Sequence, residues 1–448
     1  ARMGRDTTET ETPVRRKMTF VGRGSLITET ETNRSIPVSV MEMEHATTEE
    51  IIDIMDKRIL ALPKFDRLKC KCEGDFFELI PDHSARANIQ KHELKPGDVD
   101  EQVREFAASL SVAPFAPGIP LWEAWVIENY KPGKTAVVFR FHHVLGDGYS
   151  WSYLFASMTD EGVAGVEAQC APSKPAPSLL QQWFGLKIVL KTIFGLFFMA
   201  ISILFVLGHW ATIFIKKEPA TIFKNEASRR KRMTWRVLPL AQVHATARAN
   251  RVTINDVALT AVASGMRQAI LDCGGNVKGL EVEAGIPVSL HFNAPFTRLS
   301  NEIGVVMCGL PLDTADEKSR LRRIHKTMKL LKFFPEASVA RMIGKVSIVL
   351  PDFVSKRLMH TMSQYNSVAV SNVRGPDTPV HLNGKSVSRM VGFVPPPPGV
   401  NLGVAIFSYA GNFALTVNVD TACTDDAEGL ADAMVAAISR LAQDKKAE

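Results

Sequence analysis

The chain has 448 residues, 46% hydrophobic and 22% charged, with a net charge of +6. That is enough apolar material for sizeable cores, and the length makes two domains the expectation. The mild positive charge does not suggest a dedicated nucleic-acid binder and favours anionic ligands or an anionic lipid surface. The cysteines at 70, 72, 170, 273, 308 and 423 form no CxxC pair, so a reduced compartment is expected. Cys70 and Cys72 alternate as neighbours on a strand do, and no metal is expected there or elsewhere.

Residues 1–35 carry TETET at 8–12 and 28–32 and read as a disordered or weakly ordered arm, with a short strand at Met18–Val21. Residues 1–17 hold no apolar run, so no signal peptide is expected. From Ile36 the texture is structured: IPVSVMEME predicts a strand, and TTEEIIDIMDKRILAL a helix capped by Thr47 or Thr48. DFFELI predicts another strand, and DVDEQVREFAASLSVAP another helix. PLWEAWVIENY and TAVVFRFHH predict strands joined by the turn KPGK, followed by a helix over SWSYLFASMTDEG. Strands alternating with helices indicate an α/β or α+β domain over 36–178.

The Pro-rich APSKPAPS at 171–178 reads as a linker. After it, the 24 residues from Thr192 to Ile215 carry no charge unless His209 is protonated. That length satisfies the criterion for a membrane helix; a buried core helix is the other reading. Lys216, Lys217, Lys224, Arg229, Arg230, Lys231, Arg232 and Arg236 follow, against Glu218 and Glu226, and read as a headgroup anchor. Residues 179–233 thus form an inserted linker with an apolar membrane-associated helix. Residues 234–448 resume the alternation, with a helix over TINDVALTAVASGMRQAILDCGG, a strand at SVAVSNVRGP, and a closing amphipathic helix at DAEGLADAMVAAISRLAQD.

The chemistry concentrates in HHVLGDG, residues 142–148. A neutral imidazole at the end of a strand can take a proton from a hydroxyl, provided its tautomer and orientation are held. Asp147, across a turn that Gly146 and Gly148 permit, can pin that turn through hydrogen bonds or an arginine partner without touching the histidine. The heptapeptide alone leaves two alternatives open: a structural turn with Asp147 capping the next helix, and a metal site using both histidines and the aspartate.

HHVLGDG matches the HHxxxDG signature of acyl-CoA-dependent acyltransferases of the chloramphenicol-acetyltransferase-like fold. The chain resembles, specifically, the bifunctional wax ester synthase/diacylglycerol acyltransferase family. Pro120-Leu121-Trp122 looks like that family's PLW motif, and Asn255-Asp256 like its ND motif. Ser371-Asn372-Val373-Arg374-Gly375-Pro376 is similar to its SNVxGP motif, with Arg374 where proline is common. FSYAGNFALTVNVD resembles its carboxy-terminal strand pair, so the resemblance runs from about residue 37 to 444.

The resemblance implies two chloramphenicol-acetyltransferase-like domains with mixed sheets flanked by helices. It implies acyl transfer from acyl-CoA to a fatty alcohol, to diacylglycerol, or to both, with His143 as general base and no covalent acyl-enzyme, metal or cofactor. His142, Asp147 and Gly148 would support the base. Asn255 and Asn372 would orient substrate, while Pro120, Leu121, Trp122, Asp256, Ser371, Gly375 and Pro376 would be structural. Such a site lies between the two halves, so a helix crossing the bilayer once between them would hold them apart. Only 38 residues run from Ser178 to Ile215, too few for two spans of roughly twenty. A monotopic or in-plane helix is therefore expected, on the cytoplasmic face of the endoplasmic reticulum or a lipid droplet. The rival readings are another HxxxD-type alcohol acyltransferase, although the DFGWG motif of the plant BAHD group is absent, and a membrane-anchored lipid-binding protein without catalysis.

Overall fold

The computed structural model describes residues 15–170, 188–291, 296–334, 336–347 and 350–443. The first half runs β1 (Arg15–Lys17), α1 (Phe20–Thr28), β2 (Val38–Glu44), α2 (Thr48–Ile54), β3 (Cys70–Glu73), β4 (Phe76–Leu79) and β5 (Ile89–Lys91). It continues with α3 (Val99–Val112), β6 (Trp122–Lys131), β7 (Lys134–Phe141), α4 (Gly148–Met158) and α5 (Gly162–Cys170), and is followed by the apolar helix α6 (Ile188–Lys216). The second half opens with β8 (Lys231–Pro239), α7 (Leu240–Ala249), α8 (Ile254–Asp272), β9 (Glu281–Ser289), β10 (Ile303–Pro311), α9 (Glu317–Phe333) and α10 (Glu336–Ser347). It closes with α11 (Asp352–Gln364), β11 (Val368–Arg374), β12 (His381–Leu382), β13 (Lys385–Phe393), β14 (Leu402–Tyr409), β15 (Asn412–Asp420) and α12 (Ala427–Gln443).

Two six-stranded mixed sheets flanked by helices carry the molecule, ordered β12-β13-β2-β7-β6-β5 and β10-β9-β11-β14-β15-β8. Within them, β5 runs parallel to β6, and β11 runs parallel to both β9 and β14. The β6–β7 hairpin turns where expected, with Gly133 at φ 68°, a conformation that favours glycine. Thr47 caps α2 in a capping box with Glu50, so the acidic first turn of that helix has the role its sequence predicts.

Sheet membership does not follow chain order. β13 lies between β12 and β2 in the first sheet, with Val391 opposite Val40 and Phe393 opposite Val38. The second half, expected as a unit from 234 onward, thus lends two strands to its partner. The side-chain clusters cross over as well: Met233, Trp235, Val391 and Phe393 pack with Val38, Ala107 and Val138. An alternating strand such as β13 tells which residues face a core, not whose core it is.

The expected arm is folded where it is described. Residues 15–17 pair with β4, and α1 replaces the strand expected at Met18–Val21, with Thr19 accepting the Gly22 amide as N-cap. The helix glycines admit close neighbours. A Cβ on Gly22 would stand 3.0 Å from the Val144 carbonyl oxygen, and one on Gly24 2.6 Å from Met359. Residues 1–14 lie outside the described residues.

The apolar helix α6 is two-faced. Val206, Trp210 and Ile213, at helical spacing, are buried with Met307 of β10 and Val339 of α10. Trp210 donates its indole N–H to Glu336 at 3.0 Å. The other face carries Phe197, Leu204 and Ile215 at 62%, 69% and 81% exposure.

Part of the basic stretch after α6 is tied into the fold, while Lys216, Lys217, Arg229 and Arg230 stay exposed beyond the helix. Lys224 caps the carbonyls of Gln364, Asn366 and Gly399 at 2.7–3.0 Å. Lys231 is buried on Asp420 at 2.7 Å, Arg229 pairs with Glu31, and Arg236 pairs with Asp432 at 2.6 Å. Those acids come from far along the chain, where a local reading of charge does not see them.

Candidate active site

β7 ends at Phe141, and three of the next four amides anchor the motif through backbone carbonyls. His142 N–H donates to Leu121 at 2.8 Å, His143 N–H to Ser35 at 2.8 Å, and Leu145 N–H to His142 at 3.0 Å. Leu121 therefore holds the motif through its backbone. Pro120 and Trp122 brace it: Trp122 is fully buried and donates its indole N–H to Leu68 at 2.8 Å, while Pro120 accepts from Asn88 at 3.2 Å.

His142 is buried and both its nitrogens are engaged. Nδ1 accepts the Val144 amide at 3.0 Å, so the ring proton is on Nε2, which donates to Glu29 at 3.0 Å. His143 differs. It is half-buried, and its Nδ1, unlike its Nε2, is an enclosed atom without a hydrogen-bond partner. Burial pushes its imidazole below the ordinary histidine value, with Asp147 acting in the opposite sense. The ring is accordingly neutral at neutral pH.

Asp147 is fully buried and satisfies two demands at once. One carboxylate oxygen accepts the Ser150 amide at 3.0 Å, making Asp147 the N-cap of α4. The other accepts the Glu302 amide at 2.8 Å and the His291 ring N–H at 3.2 Å. Its partner in the second half is therefore a histidine, stacked on Tyr149 with ring centroids 4.0 Å apart, rather than an arginine. Asp147 also donates its amide to the Ser300 carbonyl at 3.2 Å. It fixes the turn and ties the halves together without a hydrogen bond to His143. A Cβ on Gly148 would lie 3.6 Å from Val373, so the start of α4 faces β11.

The two expected orienting residues lie on α8 and β11. Asn255 is half-buried at the second position of α8, and Asn372 is exposed on the strand face opposite Val373. Neither hydrogen-bonds His143 among the described residues. Asp256 is structural: it caps α8 by accepting the Thr253 amide at 2.9 Å and also accepts His325 Nδ1–H at 2.9 Å. Ser371 is half-buried on β11. Gly375 and Pro376 close that strand onto the last hairpin, with Gly375 N–H donating to Ser408 at 2.9 Å and Pro376 accepting from Ala410 at 2.8 Å. A Cβ on Gly375 would meet the Ser408 oxygen at 2.5 Å, so only glycine fits there.

Four contributors were not singled out from the sequence: Glu29, His291, Asn301 and Glu302. Asn301 donates to the carbonyls of His143 at 2.9 Å and Val144 at 3.3 Å. No local pattern marks these residues, because each acts on the motif from a distant segment.

Comparison with known proteins gives the site a context. Residues 89–258 match the wax ester synthase/diacylglycerol acyltransferase catalytic domain, and residues 299–442 match the WS/DGAT C-terminal domain. The chain is similar to a probable diacylglycerol O-acyltransferase, tgs1, of Mycobacterium tuberculosis, at 25% identity over 367 residues, 78% of this chain and 76% of that protein. Among solved structures it is similar to the wax ester synthase/diacylglycerol acyltransferase from Marinobacter aquaeolei VT8, with TM-score 0.68 and 16% identity over 96% of this chain and 100% of the other. The TRI3 trichothecene 15-O-acetyltransferase from Fusarium sporotrichioides gives TM-score 0.65 and 11% identity over 98% and 97% of the two chains. At such identities the structural likeness is one of fold, and it bears out the chloramphenicol-acetyltransferase-like architecture.

Proposed function

Since the chain belongs to the wax ester synthase/diacylglycerol acyltransferase family, we propose that this acyltransferase moves a fatty acyl group from acyl-CoA to a long-chain alcohol, to diacylglycerol, or to both. The observation that carries the proposal is the pair of histidines with opposite fates. His142 is spent on Glu29 and Val144, and His143 keeps a neutral ring whose Nδ1, unlike its Nε2, is enclosed without a partner.

In the reaction, Nε2 of His143 removes the acceptor hydroxyl proton as the oxygen attacks the thioester carbonyl carbon. The tetrahedral oxyanion collapses, the carbon–sulfur bond breaks, and the leaving thiolate takes the proton from the imidazolium. An ester and free CoA result, and the histidine is neutral again. No acyl-enzyme, metal or cofactor enters these steps. Burial pushes the thiols of Cys70, Cys72 and Cys423 up to about 11, about 12 and about 12, which argues against a cysteine nucleophile among them.

The exposed face of α6 supports a membrane setting. Its Phe197, Leu204 and Ile215 are apolar and open, while its inner face is bound to β10 and α10. The helix then lies in the interface rather than crossing it. On this reading the protein works on the cytoplasmic face of a membrane, the endoplasmic reticulum or a lipid droplet, where alcohol, diacylglycerol and product all partition.

The test incubates the full chain with labelled acyl-CoA and either hexadecanol or diacylglycerol, beside His143→Ala. Labelled ester should form and should fall by ~100- to 10,000-fold in the variant. Ester formation that survives unchanged would remove His143 as base. No ester from any acceptor would favour a lipid-binding role.

A further inference from the structure

A general base needs its ring held and its proton kept on the nitrogen that does not react. Asp147 does neither for His143 by contact, since its acceptors are taken by Ser150, Glu302 and His291. The residue against the base is Asn301, from the segment that leads into β10.

Its orientation follows from its partners. Nδ2 faces the carbonyl oxygens of His143 and Val144, at 2.9 and 3.3 Å, and a reversed amide would set an oxygen against two oxygens. Oδ1 is therefore turned away from those carbonyls. It is buried and has no hydrogen-bond partner. Nδ1 of His143 is also buried without a partner. Folded proteins leave few such atoms, and here an open acceptor and an open nitrogen belong to residues already joined through the His143 carbonyl. Gly22 of α1 makes the fit possible, since a Cβ there would come within 3.3 Å of Asn301 Nδ2.

We infer that Asn301 is the positioning residue of His143: its Oδ1 accepts the Nδ1 proton as the site closes on substrate, leaving Nε2 unprotonated and aimed at the acceptor hydroxyl. Apo sites commonly hold such bonds long and tighten them in the Michaelis complex. Without an acceptor at Nδ1 the ring proton is free to sit on Nε2, and the base is lost. Asn301 and the Gly146 backbone both ease protonation of the buried ring, as neighbouring oxygens would. Because Asn301 belongs to the second half, the base is competent only when the halves are docked. The inference rests on His143 being the base.

Three full-length variants test it by steady-state kinetics across pH with acyl-CoA and hexadecanol or diacylglycerol. Asn301→Ala should lower kcat by ~100-fold with the KM for acyl-CoA nearly unchanged. Asn301→Asp keeps an acceptor and adds charge beside the imidazole. It should recover at least ~10-fold of the loss and move the acid limb of kcat/KM upward by ~1 pH unit. If Asn301 merely props the turn through its N–H donors, the aspartate, which has none, will be as poor as alanine with the acid limb unmoved, and the inference falls. Full activity in Asn301→Ala overturns it too. His143→Ala separates the two levels: an active His143→Ala defeats the base reading itself, whereas an inactive one beside a fully active Asn301→Ala defeats only the role of Asn301. Nitrogen-15 spectra of histidine-labelled unmutated chain, assigned against His143→Gln, need no folded variant at 301. With acyl-CoA bound, a pyrrole-type Nδ1 supports the inference, and a pyrrole-type Nε2 refutes it.

Discussion

Nδ1 of His142 accepts a backbone amide at 3.0 Å, which obliges its proton onto Nε2 and into Glu29. One position later the burden on the ring is different: in His143 it is Nδ1, and not Nε2, that is enclosed without a partner. Burial holds its imidazole below the ordinary value, so the charged, inactive form gathers only at lower pH. The acid limb of kcat/KM in the unmutated enzyme should therefore lie below pH ~6.5, the ordinary histidine value. A limb above that value, read from initial rates between pH 5 and 8, would mean that the neighbouring Asp147 outweighs burial. Asp147 as a helix cap could be read from its place before Tyr149. Its bond to His291 could not, since that partner lies 144 residues away.

Among the elements, α1 and α6 depart most from a local reading. The TETET repeats and charges around α1 resemble a solvated arm, yet Glu29 at its end holds His142, and Ser35 just beyond holds the His143 amide. Glycines that look permissive in sequence are contact points once Met359 and Val144 arrive. For α6 the length and apolarity were evident, and the split into a packed face and an open one was not. That split yields opposite expectations for substitutions on one helix. Phe197→Glu combined with Leu204→Glu should leave Tm nearly unchanged, because both side chains are exposed. The same pair should weaken cosedimentation with phosphatidylcholine vesicles at least ~10-fold, since each large apolar side chain contributes ~1.5–3 kcal/mol on leaving water. Trp210→Ala should instead destabilise by ~3–5 kcal/mol, read by thermal melting, through a lost indole bond to Glu336 and the cavity left behind. Vesicle binding unaffected by the paired glutamates would end the membrane reading of α6.

At the scale of the molecule, the two halves share a sheet and a site. β13 completes the first sheet, and Asn301, Glu302 and His291 complete the motif from the other side. Stability also carries a signature of buried acids below α6. Burial raises Glu218 to about 7, and burial with the nearby Glu218 and Glu281 raises Glu283 to about 8. Both carboxyls are thus protonated in the fold at pH values where the unfolded chain has released the proton. The folded state binds more protons, so their stabilising contribution is present below about pH 4.3 and is lost as pH rises through about 8. Tm should fall between pH 5 and 8.5, and Glu283→Gln should flatten that fall. A variant that tracks the unmutated protein across the range would place the proton elsewhere.

Read alone, the sequence encodes features that lie within short windows of chain. It marked the amphipathic helices, the alternating strands, the caps at Thr47 and Asp147, the long apolar run, and an ordered set of motifs strong enough to identify the family. Packing between distant segments set which histidine is engaged at both nitrogens, which acids pair with part of the basic stretch, where β13 pairs, and that Asn301 lies against the His143 carbonyl. The physical reason is range. Periodicity and capping act over a few residues, whereas the Asn301 contact spans 158 residues and the Glu29 contact 113, and such pairs exist only after two cores have packed together.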